Sequence, residues 1–323
     1  MKAVTRFAYG LPEQVLAVRE VDPPTIGNGE VLVRVHAAGV NAGDVAVVRG
    51  TPYLVRPAYG LVRPRRPVIG QDLAGTVDRV GARVTRFRPG ERVFGGGRGT
   101  FAELAAAPER RLAPMPDGLG FESAAAVPTA GLTALQGLRD AGGVGPGRRV
   151  LVNGASGGVG TYAIQIAKSL GAEVTAVCSP PNVEQARALG ADQVIDYTRE
   201  DFTRLTGRFD VVFDNAANRS ISETRAVLAP GGILVPNGGR LDTRWLASVP
   251  RMLGAAASSI FGRTKTRLHA QTWDPDDLTI LAGMLSAGTV RSVIDRAYPL
   301  AGAGDAVAYL AAGHARGKVV ITV

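Results

Sequence analysis

The chain has 323 residues, 46% of them hydrophobic and 20% charged, which is typical of globular proteins and long enough for two domains. Its one cysteine, Cys178, excludes an intramolecular disulfide and a cysteine-rich zinc cluster. The net charge is +9, yet four of the 37 basic residues are lysine and no basic block carries interleaved aromatic residues. We therefore expect no nucleic-acid partner.

No apolar run approaches the roughly 18 residues that a membrane helix needs. The amino terminus, Met1-Lys2-Ala3-Val4, begins a strand-like pattern without a secretory segment. We therefore expect a cytoplasmic protein with no membrane partner.

The first third of the chain has the pattern of short strands separated by glycine and proline. Residues 30–36 alternate between apolar and polar side chains, which predicts a half-buried strand. Residues 72–80 form a second predicted strand that ends at Gly81, and a Pro89-Gly90 turn precedes a third. This punctuation predicts a small, barrel-like β domain.

The pattern changes near residue 122, where alanine-rich helices are predicted over residues 122–127 and 133–140. From residue 149 strands and helices alternate, which predicts an α/β fold with a doubly wound parallel sheet. The predicted strands are apolar on both faces, as a buried parallel sheet requires; they cover residues 150–152, 174–178, 194–195, 211–213 and 233–235. The last strands and helix, at residues 293–300, 304–312 and 318–323, are expected to return to the β domain.

A glycine-rich turn follows the first strand of the predicted parallel sheet and leads into a helix that runs to Leu170. The turn reads Asn153-Gly154-Ala155-Ser156-Gly157-Gly158-Val159-Gly160. Glycines let the backbone approach a pyrophosphate, and the helix amino terminus supplies free N–H groups and partial positive charge. Within a βαβ unit this pattern is the dinucleotide fingerprint, with Gly160 allowing the helix to pack on the strand. We predict that Gly154 and residues 156–159 hold a dinucleotide.

The same turn also matches G-x-S-x-G, the nucleophile elbow of α/β-hydrolases, with Ser156 as the nucleophile. A hydrolase would need a histidine and an aspartate later in the chain, and the candidates are His269, His314, Asp214 and Asp295. This alternative leaves Gly160 and the β domain without an explanation.

The end of the second strand bears on which dinucleotide is bound. Sites specific for NAD usually place an acidic residue there, but this strand ends in Cys178-Ser179. A carboxylate would repel a 2′-phosphate, so its absence favours NADP(H), with hydroxyl groups of Ser179 and Tyr197 as donors. The alternative for Tyr197 is a packing aromatic.

Taken together, these segments resemble the zinc-independent quinone oxidoreductase branch of the medium-chain dehydrogenase/reductase superfamily, over essentially the whole chain. The matching motifs lie at residues 39–44, 67–75, 128–134, 153–160, 190–197 and 317–320. The resemblance implies a GroES-like substrate domain from residues 1–121 and 287–323, and a Rossmann NADP-binding domain over residues 122–286. It also implies a homodimer.

The resemblance implies that no zinc is used. Zinc-dependent relatives carry Cys where this chain has Asn41, and Gly-His-Glu where it has Gly70-Gln71-Asp72. Without a Lewis acid to polarise an alcohol, the implied reaction is hydride transfer from NADPH to a quinone or an activated C=C bond of an enone or enal. We therefore expect a small hydrophobic carbonyl or quinone substrate.

The hydride-transfer hypothesis gives roles to residues of the first domain. Asn41 is the candidate for orienting the substrate carbonyl or the nicotinamide amide, and Asp44 supports its loop. Tyr53 and Tyr59 lie in a loop rich in proline and arginine, and each either borders the substrate cleft or lies on the surface. The resemblance implies further cofactor contacts near the nicotinamide and the adenosine, at Thr129, Thr133, Asn215, Gly238 and Gly239, with Lys318 as a phosphate or active-site cation.

Three questions stay open at the level of sequence. The alternative to Lys318 as a site cation is a solvated residue at the start of a strand. Pro181 and Ala46 replace an arginine and a lysine that relatives often carry. Residues 240–272 form either an apolar lid or a core helix, through Trp245, Leu246, Met252, Leu253, Ile260 and Phe261. A sensor that binds NADPH with little catalysis is the alternative to an enzyme, because no proton donor is identified.

Overall fold

A computed structural model describes residues 1–53, 56–237 and 264–323. The chain divides into two compact units: unit 1 comprises Met1–Ala130 and Trp273–Val323, and unit 2 comprises Gly131–Thr272. No helix in the described ranges is both long and apolar enough to cross a membrane.

The strands of unit 1 come from both ends of the chain. They are β1 (Lys2–Arg6), β2 (Leu16–Glu20), β3 (Glu30–Val40), β4 (Asp72–Val80), β5 (Arg92–Gly96), β6 (Leu104–Pro108), β7 (Leu112–Pro114), β14 (Ile294–Pro299) and β15 (Lys318–Thr322). Those of unit 2 are β8 (Arg149–Asn153), β9 (Glu173–Cys178), β10 (Gln193–Asp196), β11 (Phe209–Asp214), β12 (Leu228–Pro236) and β13 (Lys265–Thr266).

The helices of the described residues are mostly short. They are α1 (Pro12–Val15), α2 (Ala42–Arg49), α3 (Arg56–Tyr59), α4 (Phe121–Ala125), α5 (Pro128–Gln136), α6 (Gly158–Ser169), α7 (Val183–Ala188), α8 (Ile221–Ala226), α9 (Pro275–Ser286) and α10 (Ala303–Ala311). A π-helical turn, Gly137–Ala141, continues α5.

Unit 1 is built on one twisted sheet. Among its described strands the order is β14-β15-β3-β4-β5-β7, with β6 also paired to β3 and with β1 and β2 forming a separate ribbon. Strand β3 extends past the predicted residue 36 because Ala37–Val40 pairs with β15 and is buried on both faces, which hides the alternation. Gly39 permits this packing, since a Cβ there would lie 2.4 Å from the Ala125 carbonyl oxygen.

Unit 2 is a parallel sheet with the order β10-β9-β8-β11-β12-β13 among the residues that the structure describes. Its inner strands β8, β9 and β11 are largely buried and apolar. The core includes Leu151, Val177, Ile195, Phe202, Phe209, Val212 and Leu234. The predicted α/β class, a parallel Rossmann-type sheet with a GroES-like domain, is confirmed. At the end of β9, Cys178 is buried, and burial raises the pKa of its thiol to about 11.

The division into units differs from the sequence prediction, which places residues 122–130 and 273–286 in the Rossmann domain. In the structure both segments belong to unit 1. Helix α4 packs on β3 and β4, and α9 packs on β7. These contacts are distant in sequence, so the periodicity of each helix does not reveal which sheet it covers.

Candidate functional site

The glycine-rich turn of unit 2 leaves the amino terminus of α6 open. Gly154 adopts the left-handed conformation, at φ 78°. Gly157 is the N-cap of α6 and has no side chain to satisfy the first N–H groups, which by geometry lack partners inside a helix. A Cβ on Gly160 would lie 2.2 Å from the Gly154 carbonyl oxygen, so the helix packs directly on the turn. The open N–H groups and the positive end of a 12-residue helix suit a pyrophosphate.

Buried polar atoms without partners lie beyond the carboxyl ends of two strands of the same sheet. After β11, the Asn215 Nδ2 group has no hydrogen-bond partner among the described residues, while its Oδ1 accepts from Asn237. After β9, the Asn182 Oδ1 atom is likewise buried without a partner. A ligand rich in ribose hydroxyls would satisfy both. The sequence prediction included Asn215 and missed Asn182.

Ser179 and Tyr197 continue two neighbouring strands. Cys178 of β9 pairs with Asp196 of β10, so the two hydroxyl-bearing residues follow at the same edge. The Ser179 hydroxyl accepts from Asn182 Nδ2 at 2.8 Å. Tyr197 is 49% exposed, which contradicts its alternative role as a packing aromatic.

A hydrogen-bond network at the end of β8 connects this strand to the loop that follows β11. The Asn153 side chain is 1% exposed and donates to Asp214 Oδ1 at 2.8 Å and to Asn218 Oδ1 at 2.9 Å. Asp214 also accepts from the Ala217 N–H. The sequence prediction did not identify this pair. Its signal was that Asn153 and Asp214 are the last residues of two strands of the parallel sheet.

In unit 1, four residues form a hydrogen-bonded cluster that we call the Asp72 network: the buried Asp72 and Lys318 and the partly buried Asn41 and Thr129. Asp72 is fully buried; its Oδ1 accepts from Thr129 Oγ at 2.5 Å, and its Oδ2 accepts from Asn41 Nδ2 at 2.9 Å. Lys318 Nζ donates to Asn41 Oδ1 at 2.5 Å and lies 4.0 Å from Asp72 Oδ2. Both the oxygen and the nitrogen of the Asn41 carboxamide are therefore hydrogen-bonded within the network.

The opposite charges of Asp72 and Lys318 offset the cost of burying both groups in this network. Burial raises the pKa of Asp72, opposed by Lys318 and the hydrogen bonds from Thr129 and Asn41. Burial lowers the pKa of Lys318, opposed by Asp72 and Asp44. Lys318 is 3% exposed, so the alternative of a solvated strand start is wrong. The sequence prediction did not assign Asp72 a role, although it is the acidic residue that begins the predicted strand at residues 72–80.

Asp44 lies beside this network. Its Oδ2 accepts from the Asn41 backbone N–H at 2.8 Å, across the start of α2, which is the supporting role that the sequence predicts. The carboxyl group is 2% exposed. Burial raises its pKa to about 7, against the hydrogen bond from Asn41.

A cavity of about 280 Å³ opens beside Asp44 within unit 1. Its wall combines apolar and polar groups, among them Val47, Tyr59, Val68, Ile69, Gln71 and Trp273, together with the arginines Arg6, Arg66, Arg98 and Arg111. Tyr59 therefore lines a pocket. Tyr53 is not among the lining residues, and its ring lies against the Arg56 guanidinium at 4.4 Å.

The remaining predicted site residues divide into two groups. Thr129 and Thr133 lie one turn apart on α5, and Thr133 is 7% exposed. Gly238 and Gly239 lie outside the described residues, as do the apolar residues of the predicted lid.

The hydrolase alternative lacks its catalytic pair in unit 2. His269, the histidine that shares this unit with Ser156, has a buried Nε2 atom with no hydrogen-bond partner in the described part of the chain. A nucleophilic serine needs a histidine base within hydrogen-bond reach, so the geometry does not support this reading.

The fold and these two groups of residues define the dehydrogenase/reductase class of α/β proteins. A family model described as an alcohol dehydrogenase GroES-like domain matches residues 27–117, and one described as a zinc-binding dehydrogenase matches residues 189–321. The chain is 33% identical to a chloroplast envelope quinone oxidoreductase homolog of Arabidopsis thaliana, over 99% of this chain and 98% of the relative. It belongs to the medium-chain dehydrogenase/reductase family, in the quinone oxidoreductase branch.

Further relatives extend this comparison. A trans-enoyl reductase of Aspergillus terreus is 33% identical over 92% of this chain and 87% of its own. The solved quinone oxidoreductase of Coxiella burnetii has a TM-score of 0.89 at 29% identity, covering 100% of this chain and 99% of that one. A mycobacterial protein solved in complex with NADPH has a TM-score of 0.85 at 28% identity and full coverage of both chains.

The zinc-binding description of one family model does not fit the residues of the Asp72 network. Zinc takes thiolate, imidazole and carboxylate ligands, whereas Asp72 is surrounded by an amide, a hydroxyl and the Lys318 ammonium. In the residues that the structure describes, no group of three or more His, Cys, Asp or Glu could hold a metal ion. The positive charge beside Asp72 is supplied by Lys318, so we derive no step through zinc.

Proposed function

We propose that this protein is an NADPH-dependent oxidoreductase that reduces quinones or activated C=C bonds without zinc. The observation that carries the proposal is the open amino terminus of α6 together with the unpartnered Asn215 Nδ2 and Asn182 Oδ1 atoms at the same sheet edge. These groups suit the pyrophosphate and riboses of a dinucleotide. The family relatives, which include quinone oxidoreductases and an enoyl reductase, support the reaction class.

The predicted cofactor residues that the structure describes have distinct roles in this proposal. The backbone of Gly154 and of residues 156–159 holds the pyrophosphate, and Asn215 contacts the adenosine side. Ser179 and Tyr197 present hydroxyl groups for a 2′-phosphate, which supports NADPH over NADH. Asp196 pairs with Cys178 at the same edge, but its carboxylate is engaged by the Thr198 N–H and hydroxyl and lies 3.6 Å from Arg199.

The Asp72 network acts as a positioning device. It fixes Thr129 at the start of α5 and therefore the helix face that also carries Thr133, both proposed to approach the nicotinamide. It also fixes Asn41, whose Oδ1 accepts from Lys318 and whose Nδ2 donates to Asp72 and, at 3.5 Å, to the Gly39 carbonyl oxygen, so we propose that Asn41 orients its neighbours rather than the ligand. Lys318 is the active-site cation of this network.

The bound cofactor supplies a hydride, and the reduced substrate then needs one proton. We propose Asp44 as the proton source, because this residue lines the cavity and its pKa of about 7 keeps a large fraction of its carboxyl group neutral at physiological pH. Tyr59, Gln71 and Trp273 would contact the substrate in the same cavity.

The test is NADPH oxidation against an ortho-quinone, a para-quinone, an alkenal, a cyclic enone and a plain aldehyde, each repeated with NADH. We expect turnover of quinones or enones, higher kcat/KM with NADPH, no turnover of the plain aldehyde, and no loss of rate with 1,10-phenanthroline. NADPH binding without turnover of any substrate would favour the sensor alternative. Absence of NADPH binding would overturn the proposal.

A homodimer and a cytoplasmic location also stay predictions. The homodimer rests on the resemblance, and the location rests on the use of a single, buried cysteine, which suits a reducing compartment.

A further inference from the structure

The cavity of unit 1 has an unusual wall for a pocket that receives a hydrophobic substrate. Four arginines line it, Arg6, Arg66, Arg98 and Arg111, against one carboxyl group, that of Asp44. Pockets for neutral ligands are mostly apolar with a small number of placed polar groups. Four guanidinium groups around about 280 Å³ give this pocket a strong positive potential.

Most of this charge has no internal counter-ion. Arg98 pairs with Glu30 at 2.9 Å. Within the described ranges no carboxylate forms an ion pair with Arg6, Arg66 or Arg111. The guanidinium groups of Arg6 and Arg111 instead lie over the rings of Tyr9 and Trp273, at 5.3 and 5.6 Å. Aromatic faces stabilise a cation without neutralising its charge.

Two guanidinium groups also keep unused donors. Arg6 is 3% exposed; its Nη1 donates to the Val47 carbonyl oxygen, but its Nε is buried with no partner. The Arg111 Nε is buried and unpartnered as well. Such groups are costly to leave unsatisfied. Burial and the neighbouring Arg110 and Arg98 also lower the pKa of Arg111, which shows that like charges crowd this wall.

We propose that this cavity recognises a carboxylate on the substrate, so that the enzyme acts on acidic enones or quinones in preference to neutral ones. The proposal rests on the proposed function, since it assigns the substrate class of the same site. A carboxylate accepts several N–H donors at once and matches the fork of a guanidinium group. It would satisfy the unused donors and supply the missing counter-ion, while Val47, Val68 and Ile69 contact the apolar remainder.

The test compares 4-(3-oxobut-1-enyl)benzoic acid with its methyl ester, which has the same enone and no charge. We expect the wild-type kcat/KM to be at least about tenfold higher for the acid, as one charge-assisted hydrogen bond predicts. The variant Arg66→Gln/Arg111→Gln should lower this acid-to-ester ratio by about tenfold. Arg66→Gln alone, at an exposed side chain, should lower it in the same direction and serves if the double variant does not fold.

A matched control is Arg63→Gln/Arg65→Gln, which removes the same charge from nearby exposed positions and none of the lining residues. We expect its ratio to equal that of wild type. An equal loss in the control would show a general charge effect and overturn the proposal. A wild-type ratio near one would overturn it too, as would a raised KM for NADPH in the pocket variant with the ratio intact.

Calorimetric binding of the acid separates this proposal from the proposed function. If neither compound is reduced but the acid binds and the pocket variant abolishes that binding, the cavity proposal stands and the enzyme reading fails. If both compounds are reduced with the same kcat/KM, the enzyme reading stands and the carboxylate proposal fails.

Discussion

Asp44 is the residue whose ionisation connects the fold to the proposed chemistry. The residue is 2% exposed and lines the cavity, and its carboxylate accepts from the backbone N–H of Asn41. Burial raises its pKa to about 7. A neutral carboxyl group can donate a proton at physiological pH, whereas an ordinary surface aspartate cannot.

We predict that kcat/KM for enone reduction is highest below pH 7 and falls by about tenfold per unit above it, because the neutral form of Asp44 is required. Asp44→Asn should lower the rate and flatten the pH profile. Steady-state kinetics from pH 6 to 9 measures both. A profile of unchanged shape in the variant would show that Asp44 has only a structural role.

Stability gives an independent check on the same pKa. Because burial raises the pKa of Asp44 in the folded state from its ordinary value of 3.8 to about 7, the folded state holds a proton that the unfolded state loses between about pH 4 and 7. The free energy of unfolding therefore falls as pH rises through this window, by up to about 1.4 kcal/mol per pH unit. Urea unfolding should show this slope in wild type and lose it in Asp44→Asn.

The contacts of the Asp72 network could not be predicted from the sequence, because they join residues that are far apart in the chain. Thr129 lies 57 residues from Asp72, and Lys318 lies 277 residues from Asn41. No local pattern encodes such pairings. The residue types predicted a polar site around Asn41 and Lys318, but the fold alone makes Asp72 its centre and buries the lysine.

At the scale of elements, the turn between β8 and α6 contains two glycines with different tasks. A Cβ on Gly160 would meet the Gly154 carbonyl oxygen at 2.2 Å, whereas for a Cβ on Gly157 the nearest atom among the described residues is the Gly154 carbonyl oxygen at 3.6 Å. Gly160 therefore serves packing, and Gly157 leaves space at the open end of the helix.

This difference predicts opposite effects of two small substitutions. Gly160→Ala should destabilise the protein by about 1–3 kcal/mol, the usual cost of overpacking. Gly157→Ser should leave the thermal midpoint unchanged, because serine is a good N-cap, and raise the Kd for NADPH by at least about tenfold by filling the pyrophosphate space. Differential scanning fluorimetry and calorimetric titration measure the two. Tight NADPH binding by Gly157→Ser would exclude the turn as the pyrophosphate site.

Elements with regular burial were predictable, and those set by distant packing were not. The strand predicted at residues 72–80 matches β4, Asp72–Val80. The prediction for β3 stopped at residue 36 because its last residues, Ala37–Val40, lose the period of two where β15 covers them. Similarly, α5 begins at Pro128, before the predicted residue 133, since proline favours the first turn of a helix.

At the scale of the whole molecule, the sequence predicted a β domain and an α/β domain, and it predicted that the last residues of the chain belong to the β domain. The structure joins β14 and β15 to β3, so unit 1 requires residues from both ends. Helix α9 directly follows the α/β segment and has a buried face, with Leu278, Leu281 and Leu285. The spacing of these leucines would be the same in either unit. The packing of α9 on β7 shows that the helix belongs to unit 1.

The reactivity of Cys178 can report the local opening of the parallel sheet of unit 2. The thiol is 2% exposed and its pKa of about 11 leaves little thiolate at neutral pH. An alkylating reagent therefore reacts only with molecules in which β9 has separated from its neighbours, and the labelling rate counts those openings. A ligand bound beside Ser179 would slow the labelling by about a hundredfold at a concentration of about 100 Kd. With a single cysteine in the chain, the reagent reports cofactor occupancy from one strand, without an engineered label.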